Sequence, residues 1–332
     1  MQIHCHQNRL ILKTKFTISH GAYNHRDQLL IELADKNNTG FGETVAIDYY
    51  GQNIDEMLAL AHKAAPQITR IASDISPKAF YTKLLDLFPS NSFLRSAFET
   101  AFHDLHDHKY GSDLEVVENP QVPSSITIGM SDSVENVEEK LDQRWPVFKI
   151  KINQQDFRED IITRIVDAGR SFGIDANGAF DDMGQAQKAI NYLQNQGCLY
   201  IEQLLRKTMV NEIDRLDRPQ ESLFLLDESI TSLSDAKKYV QSYDGYVLKL
   251  TKCGGITPTL EIINYAREHG KKLLAGCMTE SSIGINHMLQ LISYFDFADL
   301  DGAYLISNDR EIIERSEKNF RFLQDDGYFS QQ

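Results

Sequence analysis

Eight charged side chains from residue 149 onward stand at the ends of short, apolar, strand-like runs. Three are carboxylates in consecutive runs: Asp175 in GIDAN, Glu202 in YIEQ and Asp227 in LLDES. Carboxylates turned to one point repel each other, and the usual remedy is a hard divalent cation held by oxygen. Three such ligands leave up to about three octahedral positions for water or substrate, as Mg²⁺ sites commonly do. Asn177 and Glu228, beside two of them, suit orienting roles rather than ligation. Lys149 and Lys151 in FKIKI are two apart and share one strand face. Lys249 ends VLKL, a run apolar enough to be buried on both sides, where an unpaired ammonium is costly without a function. A second cation and a dication nearby pull a lysine toward ~7–8, where it works as a base. Two opposed lysine bases suit taking a proton from one face of a carbon and returning it to the other. Asp299 and Asp301 in FADLD complete the set. Lys252 reads as a loop lysine outside it.

The spacing of these groups implies their scaffold. The intervals from Lys151 to Asp175, Glu202, Asp227 and Lys249 are 24, 27, 25 and 22 residues, and Asp299 follows after 50, one strand (KLLAGC, 272–277) being passed over. About 25 residues is one strand-plus-helix unit of an eight-stranded α/β barrel, in which catalytic groups gather at the C-terminal strand ends. Eight runs can be counted: SSITIG, VFKIKI, SFGIDA, CLYIEQ, LFLLDES, YVLKL, KLLAGC and FADLD. In a ring of eight, the second and sixth strands face each other, so Lys149 and Lys151 oppose Lys249 across the lumen.

Before this regime lies a different one. LILKTKFTI, QLLIELA and GFGETVAI read as an antiparallel meander with turn chemistry at DKNNTG. Three helices follow: NIDEMLALAHKAAPQI, then SPKAFYTKLLDLF with Ser76 as N-cap and Pro77 in the first turn, then SFLRSAFETAFHDLHDHKYG with Gly111 as its stop. The switch near 115–122 marks a domain boundary, giving residues 1–118 as an α+β capping domain and 119–305 as the barrel, with 306–332 packing back on the cap. His103, His106 and His108 lack the HExxH frame of a metal helix.

Bulk properties bound the function. The chain's 332 residues exceed the roughly 250–300 at which a single core stops growing. A net charge of −14 argues against nucleic acid or an anionic membrane as partner. Four scattered cysteines (Cys5, Cys198, Cys253, Cys277) without C-x-x-C read as reduced residues of a cytoplasmic protein. No apolar stretch reaches the roughly 18 residues of a membrane span. A homo-oligomer is left open.

As a set, the K-x-K pair, the D…E…D series and the lysine followed by C-G-G resemble the enolase superfamily in its muconate-lactonising branch, over nearly the whole chain. The YYG loop (49–51) and GETVA belong to the resemblance. It implies a modified TIM barrel, (β/α)7β, under an α+β cap, a bound Mg²⁺, and removal of the proton α to a carboxylate. KLTKCGGI (249–256), GCMTESSIGI (276–285) and the D-x-D of ADLDGAYLISND are similar to the dipeptide epimerases. The resemblance implies Asp175, Glu202 and Asp227 as metal ligands and Lys151 and Lys249 as the two bases. Substrate-binding positions would be Lys149, Thr127, Cys277, Met278, Asp299 and Asp301, with the last two holding an α-ammonium. The small-molecule substrate would be a dipeptide; the alternative is an o-succinylbenzoate synthase or another dehydratase or racemase of the superfamily. IEQLL lacks the Pro that usually follows IEQ. The 20s loop, SHGAYNHRD, lacks an arginine where glutamate-binding members carry one, with Arg26 nearby, so an apolar or broader dipeptide is expected as much as Ala-Glu.

Overall fold

A computed structural model describes residues 1–18, 21–71, 75–112, 114, 122–314 and 320–331, with side chains from 16–18 and 331 left aside. The expected boundary at 115–122 lies, but for Val122, outside the described residues, as do Ser19 and His20 of the 20s loop and 315–319 of the tail.

The first strands form a three-stranded antiparallel sheet, β1 (Gln2–Ile18), β2 (Gly21–Ala34) and β3 (Thr39–Val45), with β2 central. Three helices cover it: α1 (Ile54–Ile71), α2 (Pro77–Leu87) and α3 (Ser92–Tyr110). Helix α2 starts as its sequence dictates, with the Ser76 hydroxyl accepting from Ala79 N and Pro77 in the first turn. Gly111, at φ 83°, ends α3. Helix α1 runs three residues past its expected end despite Pro66. Leu29, Leu30 and Ile31 are all buried, because the sheet is covered on both faces. One face meets α3 so closely that a Cβ at Gly42 would lie 2.2 Å from Ala97 O, so the GFGE run lets helix backbone sit on strand backbone. The same core takes in Met278 and Ile283 from the barrel, which bury it from the other domain.

Eight parallel strands follow in sequential order: β4 (Ile126–Ile128), β5 (Val147–Lys151), β6 (Ser171–Asp175), β7 (Tyr200–Glu202), β8 (Leu223–Leu226), β9 (Gly245–Leu248), β10 (Lys272–Gly276) and β11 (Phe297–Asp299). The ring nearly closes where Ser125 N donates to Ala298 O at 2.9 Å beside a parallel bridge from Ser124 to Ala298. The connections carry α4 (Val134–Asp142), α5 (Glu159–Asp167), α6 (Met183–Gln194), α7 (Leu233–Tyr239), a short α8 (Leu250–Cys253) with α9 (Ile256–Glu268), and α10 (Ser282–Leu289). Several of these helices are short, α7 having 7 residues and α10 having 8. The fourth connection is not an α-helix but 3₁₀ turns over Lys207–Arg215. This is the α/β fold expected, a seven-helical-unit barrel ending on a strand under a separate cap.

The tail divides between two cores. Ser307 N donates to Ile11 O, and Ile306, Ile312, Ile313, Phe320 and Phe322 join the cap's apolar cluster. The hairpin β12 (Arg321–Leu323) and β13 (Phe329–Gln331) instead sends Leu323 and Phe329 into the barrel core. Among the described residues, no helix is long and apolar enough to cross a membrane.

Glu99 ties the domains together at the C-G-G turn. Its fully buried carboxylate on α3 accepts from Ile256 N at 2.7 Å and Thr257 N at 2.8 Å, capping α9. His103 sits 3.1 Å from the same group, which gives that histidine a docking partner rather than a metal. Gly255, at φ 123°, leaves the room: a Cβ there would lie 2.3 Å from Glu99 Oε2. Glu99→Ala orphans two helix N–H groups, at about 1.5 kcal/mol or more per charge-assisted bond. A stability loss of about 3 kcal/mol is therefore expected, read as a lower urea midpoint at unchanged m-value. A midpoint equal to native would contradict the docking role.

Candidate active site

The strand ends bring the expected groups to one end of the barrel. Register pairs Lys151 with Asp175 and Asp175 with Glu202 across β5, β6 and β7. Lys149 and Lys151 share a face of β5, as their spacing requires. Lys151 Nζ lies 2.5 Å from Asp175 Oδ2, and across the barrel Lys249 Nζ lies 2.6 Å from Asp227 Oδ2. Lys149 Nζ bridges three carboxylates: Asp299 at 2.7 Å, Glu202 at 2.8 Å and Asp175 at 3.1 Å. Asp175, Glu202 and Asp227 are all fully buried beneath these ammoniums.

A cavity of about 90 Å³ lies above them. Lys149, Lys151 and Lys249 line it together with Thr127, Cys277, Met278, Asp299 and Asp301, and Tyr23, Arg26, Ile47, Tyr49 and Tyr50 close it from the cap. The two tyrosines are those of the YYG loop. All the substrate-side residues named from the sequence thus meet in one lumen, while the three carboxylates form its floor.

The two acids after β11 are not equivalent. Both oxygens of Asp299 are engaged, by Ser125 Oγ at 2.8 Å and Lys149 Nζ at 2.7 Å. Asp301 is held by Thr127, whose backbone N donates to Oδ2 at 2.7 Å and whose side chain also hydrogen-bonds the carboxyl. Burial, and then the Asp299 charge, push the Asp301 carboxyl up to about 6. The two acids therefore differ in partner: Asp299 carries the Lys149 ammonium, whereas Asp301 is held by the neutral donors of Thr127.

Electrostatics on the floor follow from crowding. Burial, reinforced by Asp175, pushes the Glu202 carboxyl well above the usual range. Burial would also raise Asp175 and Asp227, but the ammoniums on them outweigh it and hold both low. Burial lowers Lys249, and Asp227 and Glu202 outweigh that, holding it well above an ordinary lysine. So the second base is not poised near neutrality while its ammonium sits on Asp227. Among the described residues, no three acidic, His or Cys side chains converge as placed around one ion position. The donor set still fits a hard divalent cation. Its donors are all carboxylate oxygens on adjacent strand ends, and Glu202 Oε1 is buried with no hydrogen-bond partner.

Strand-end geometry supports the floor. Asn177 (φ 44°) and Gln203 (φ 39°) both hold left-handed backbone, strain that clusters at functional sites. Asn177 Nδ2 donates to Glu228 Oε1 at 3.1 Å, joining the two residues expected to orient the ligands. Gln203 Oε1 accepts from Asp227 N and Ser229 N, setting the turn that carries Asp227. Gln203 escaped the sequence reading, although IEQ contains it; so did Ser125 and Tyr23, whereas Arg26 figures there only as lying near the expected arginine position. The Arg26 guanidinium stacks 3.4 Å over the Tyr23 ring, so this chain does bring an arginine to the lumen. Lys252 corrects its reading outright: it is 1% exposed and bonded to Asp227, not in a loop outside the site.

Comparison with known proteins agrees with this arrangement. Residues 132–329 match the family model described as enolase C-terminal domain-like. An L-Ala-D/L-amino acid epimerase of Maribacter sp. (strain HTCC2170 / KCCM 42371) is 31% identical over 313 residues, 93% of this chain and 92% of that protein. A hydrophobic dipeptide epimerase of Flavobacteria bacterium (strain MS024-2A) is 28% identical, covering 91% of this chain and 90% of that protein. The fold matches the crystal structure of a dipeptide epimerase from Enterococcus faecalis V583 complexed with Mg and L-Leu-L-Tyr, with a TM-score of 0.85, 20% identity, and 99% and 96% of the two chains covered. With its lysines opposed across a barrel lumen and its carboxylates at three successive strand ends, the chain belongs to the enolase superfamily, among the epimerases of its muconate-lactonising branch.

Proposed function

We propose that the protein is a Mg²⁺-dependent dipeptide epimerase acting by two-base 1,1-proton transfer. The observation that carries this reading is Lys151 and Lys249 lining opposite walls of one lumen, with an acid, Asp301, held by the neutral donors of Thr127 on a third. In this reading Asp175, Glu202 and Asp227 hold the cation. When bound, it would neutralise these carboxylates and stabilise the negative charge that builds on the substrate carboxylate as the α-proton leaves. The chain's residues do the rest. Asp301 takes the substrate's α-ammonium, with Asp299 adding negative potential beside it. This places the α-carbon of the second residue between the two lysines. One lysine, neutral, takes the α-proton; the other, as ammonium, returns a proton to the opposite face. The charge on the enzyme is unchanged, and the two lysines have exchanged roles. Lys149 supplies a fixed positive charge beside the substrate carboxylate, and Tyr49 and Tyr50 help exclude water.

The lumen's cap wall, Tyr23 with Arg26, suits an L-Ala-Xaa substrate range wider than the apolar residues alone. The relatives named above, an L-Ala-D/L-amino acid epimerase and a hydrophobic dipeptide epimerase, support a broad range rather than a single side chain. An o-succinylbenzoate synthase reading is disfavoured by Asp299 and Asp301, since an anionic substrate without an ammonium gains nothing from two facing acids.

A dipeptide library incubated in D₂O with Mg²⁺ tests the reading. L-Ala-Xaa members are expected to gain one deuterium with inversion, and EDTA to stop this until Mg²⁺ is restored. No exchange in any dipeptide would overturn it.

The pH profile is also fixed in sign. A carboxyl raised to about 6 loses its charge as pH falls through that value. kcat/KM for free dipeptides should then fall roughly tenfold per pH unit below it. Asp301→Asn, already slow, should lack this limb. A native profile flat from pH 7 to 5 would contradict the role of Asp301.

A further inference from the structure

Lys252 is a buried cation that the proton-transfer scheme does not use. The short helix α8 begins directly after Lys249, and Gly254, at φ 99°, ends it, turning the chain back under the end of β9. The turn drives Lys252 inward, away from solvent and away from the lumen, whose lining it does not join. Its Nζ lies 2.5 Å from Asp227 Oδ1 and 2.8 Å from Val247 O, and it also donates to Asp227 O. An ammonium has three donors, and all three of these are taken. A lysine so saturated has no lone pair to offer and no path to a substrate, so a third-base role is excluded by geometry.

Its effect falls on Asp227. Oδ1 is fixed by Lys252, and Oδ2 alone faces the lumen side, where Lys249 holds it at 2.6 Å. Gln203 fixes the same residue from its backbone N–H. We propose that Lys252 is a positioning residue that confines Asp227 to one-oxygen presentation and thereby sets the site's preference for Mg²⁺ over Ca²⁺. This rests on the metal site proposed above. The two ions differ in what they ask of a carboxylate. Mg²⁺ takes six ligands in a tight octahedron, whereas Ca²⁺ takes six to eight and readily uses a carboxylate through both oxygens. Occupying Oδ1 with an ammonium withholds the second oxygen. The same contact keeps Asp227 oriented when Lys249 lets go of it.

The test reads binding, not turnover. Titration calorimetry with Mg²⁺ and, separately, Ca²⁺ gives the ratio of affinities for native protein, Lys252→Met and Lys252→Arg. Met fills similar volume without charge, and its Mg²⁺-over-Ca²⁺ ratio should fall by roughly tenfold or more as Ca²⁺ gains a bidentate ligand. Arg still donates and should keep most of the native ratio. An unchanged ratio in folded Lys252→Met overturns the inference, because a residue needed only for packing would weaken both ions alike. A crystal structure of native protein grown with Ca²⁺ tests the same point without any variant: Asp227 ligating through Oδ2 alone supports it, and ligation through both oxygens overturns it. Failure of the native protein to bind either ion would instead remove the metal site itself.

Discussion

Lys151→Ala and Lys249→Ala are each expected to abolish epimerisation while leaving half of the exchange chemistry intact. In the proposed mechanism each lysine serves one face of the α-carbon. Removing one leaves the other able to take and return the proton of a single stereoisomer. In D₂O, each variant should therefore exchange one epimer of a dipeptide without inversion, and the two variants should choose opposite epimers. Inversion should fall by at least the 10²–10⁴-fold that a positioned general acid or base contributes. The pairing on the floor predicts that both variants stay folded. Asp175 keeps Lys149 at 3.1 Å when Lys151 goes, and Asp227 keeps Lys252 when Lys249 goes, so neither deletion strands a buried carboxylate. Both should retain near-native circular dichroism. Full epimerase activity in either variant would rule the mechanism out, as would exchange of the same epimer by both.

Asp301→Asn carries the second large effect. A charge-assisted hydrogen bond contributes roughly 1.5–3 kcal/mol, so losing the anion should lower kcat/KM for free dipeptides by about 10- to 150-fold. The substitution keeps an acceptor for Thr127 N, so Mg²⁺ affinity and stability should stay near native. Asp299→Asn is a less clean probe, since Lys149, 1% exposed, loses one of its three carboxylates there. N-acetylated dipeptides should be poor substrates of the native enzyme and should lose little further in Asp301→Asn. Equal rates for acetylated and free dipeptides would show that the ammonium is not what Asp301 recognises and would return the site to the dehydratase reading.

The sequence by itself determined the ring and the charged groups at its strand ends. The roughly 25-residue recurrence is the length of one strand and its return helix, so it fixes eight strands and puts Lys149, Lys151, Asp175, Glu202, Asp227 and Lys249 at their ends. The i, i+2 spacing fixes the shared face of the β5 lysines, because strand side chains alternate. Such features are local, and periodicity carries them. What only the tertiary structure decided depends on contacts between residues far apart in the chain. Asp299 and Asp301 look alike in FADLD, yet Lys149, 150 residues away, claims the first, while Thr127 holds the second. Arg26 reaches the lumen because β2 crosses over it, which loop composition does not reveal. Lys252 reads as a loop lysine because nothing in KLTKC states where a four-residue helix will aim it. The glycine pair that follows, at φ 99° and 123°, ends that short helix, with Gly255 packed against Glu99 of the cap. The barrel is written in spacing, whereas the partner of each buried charge is chosen by packing, since a charge taken out of water must be paired wherever the fold happens to place it.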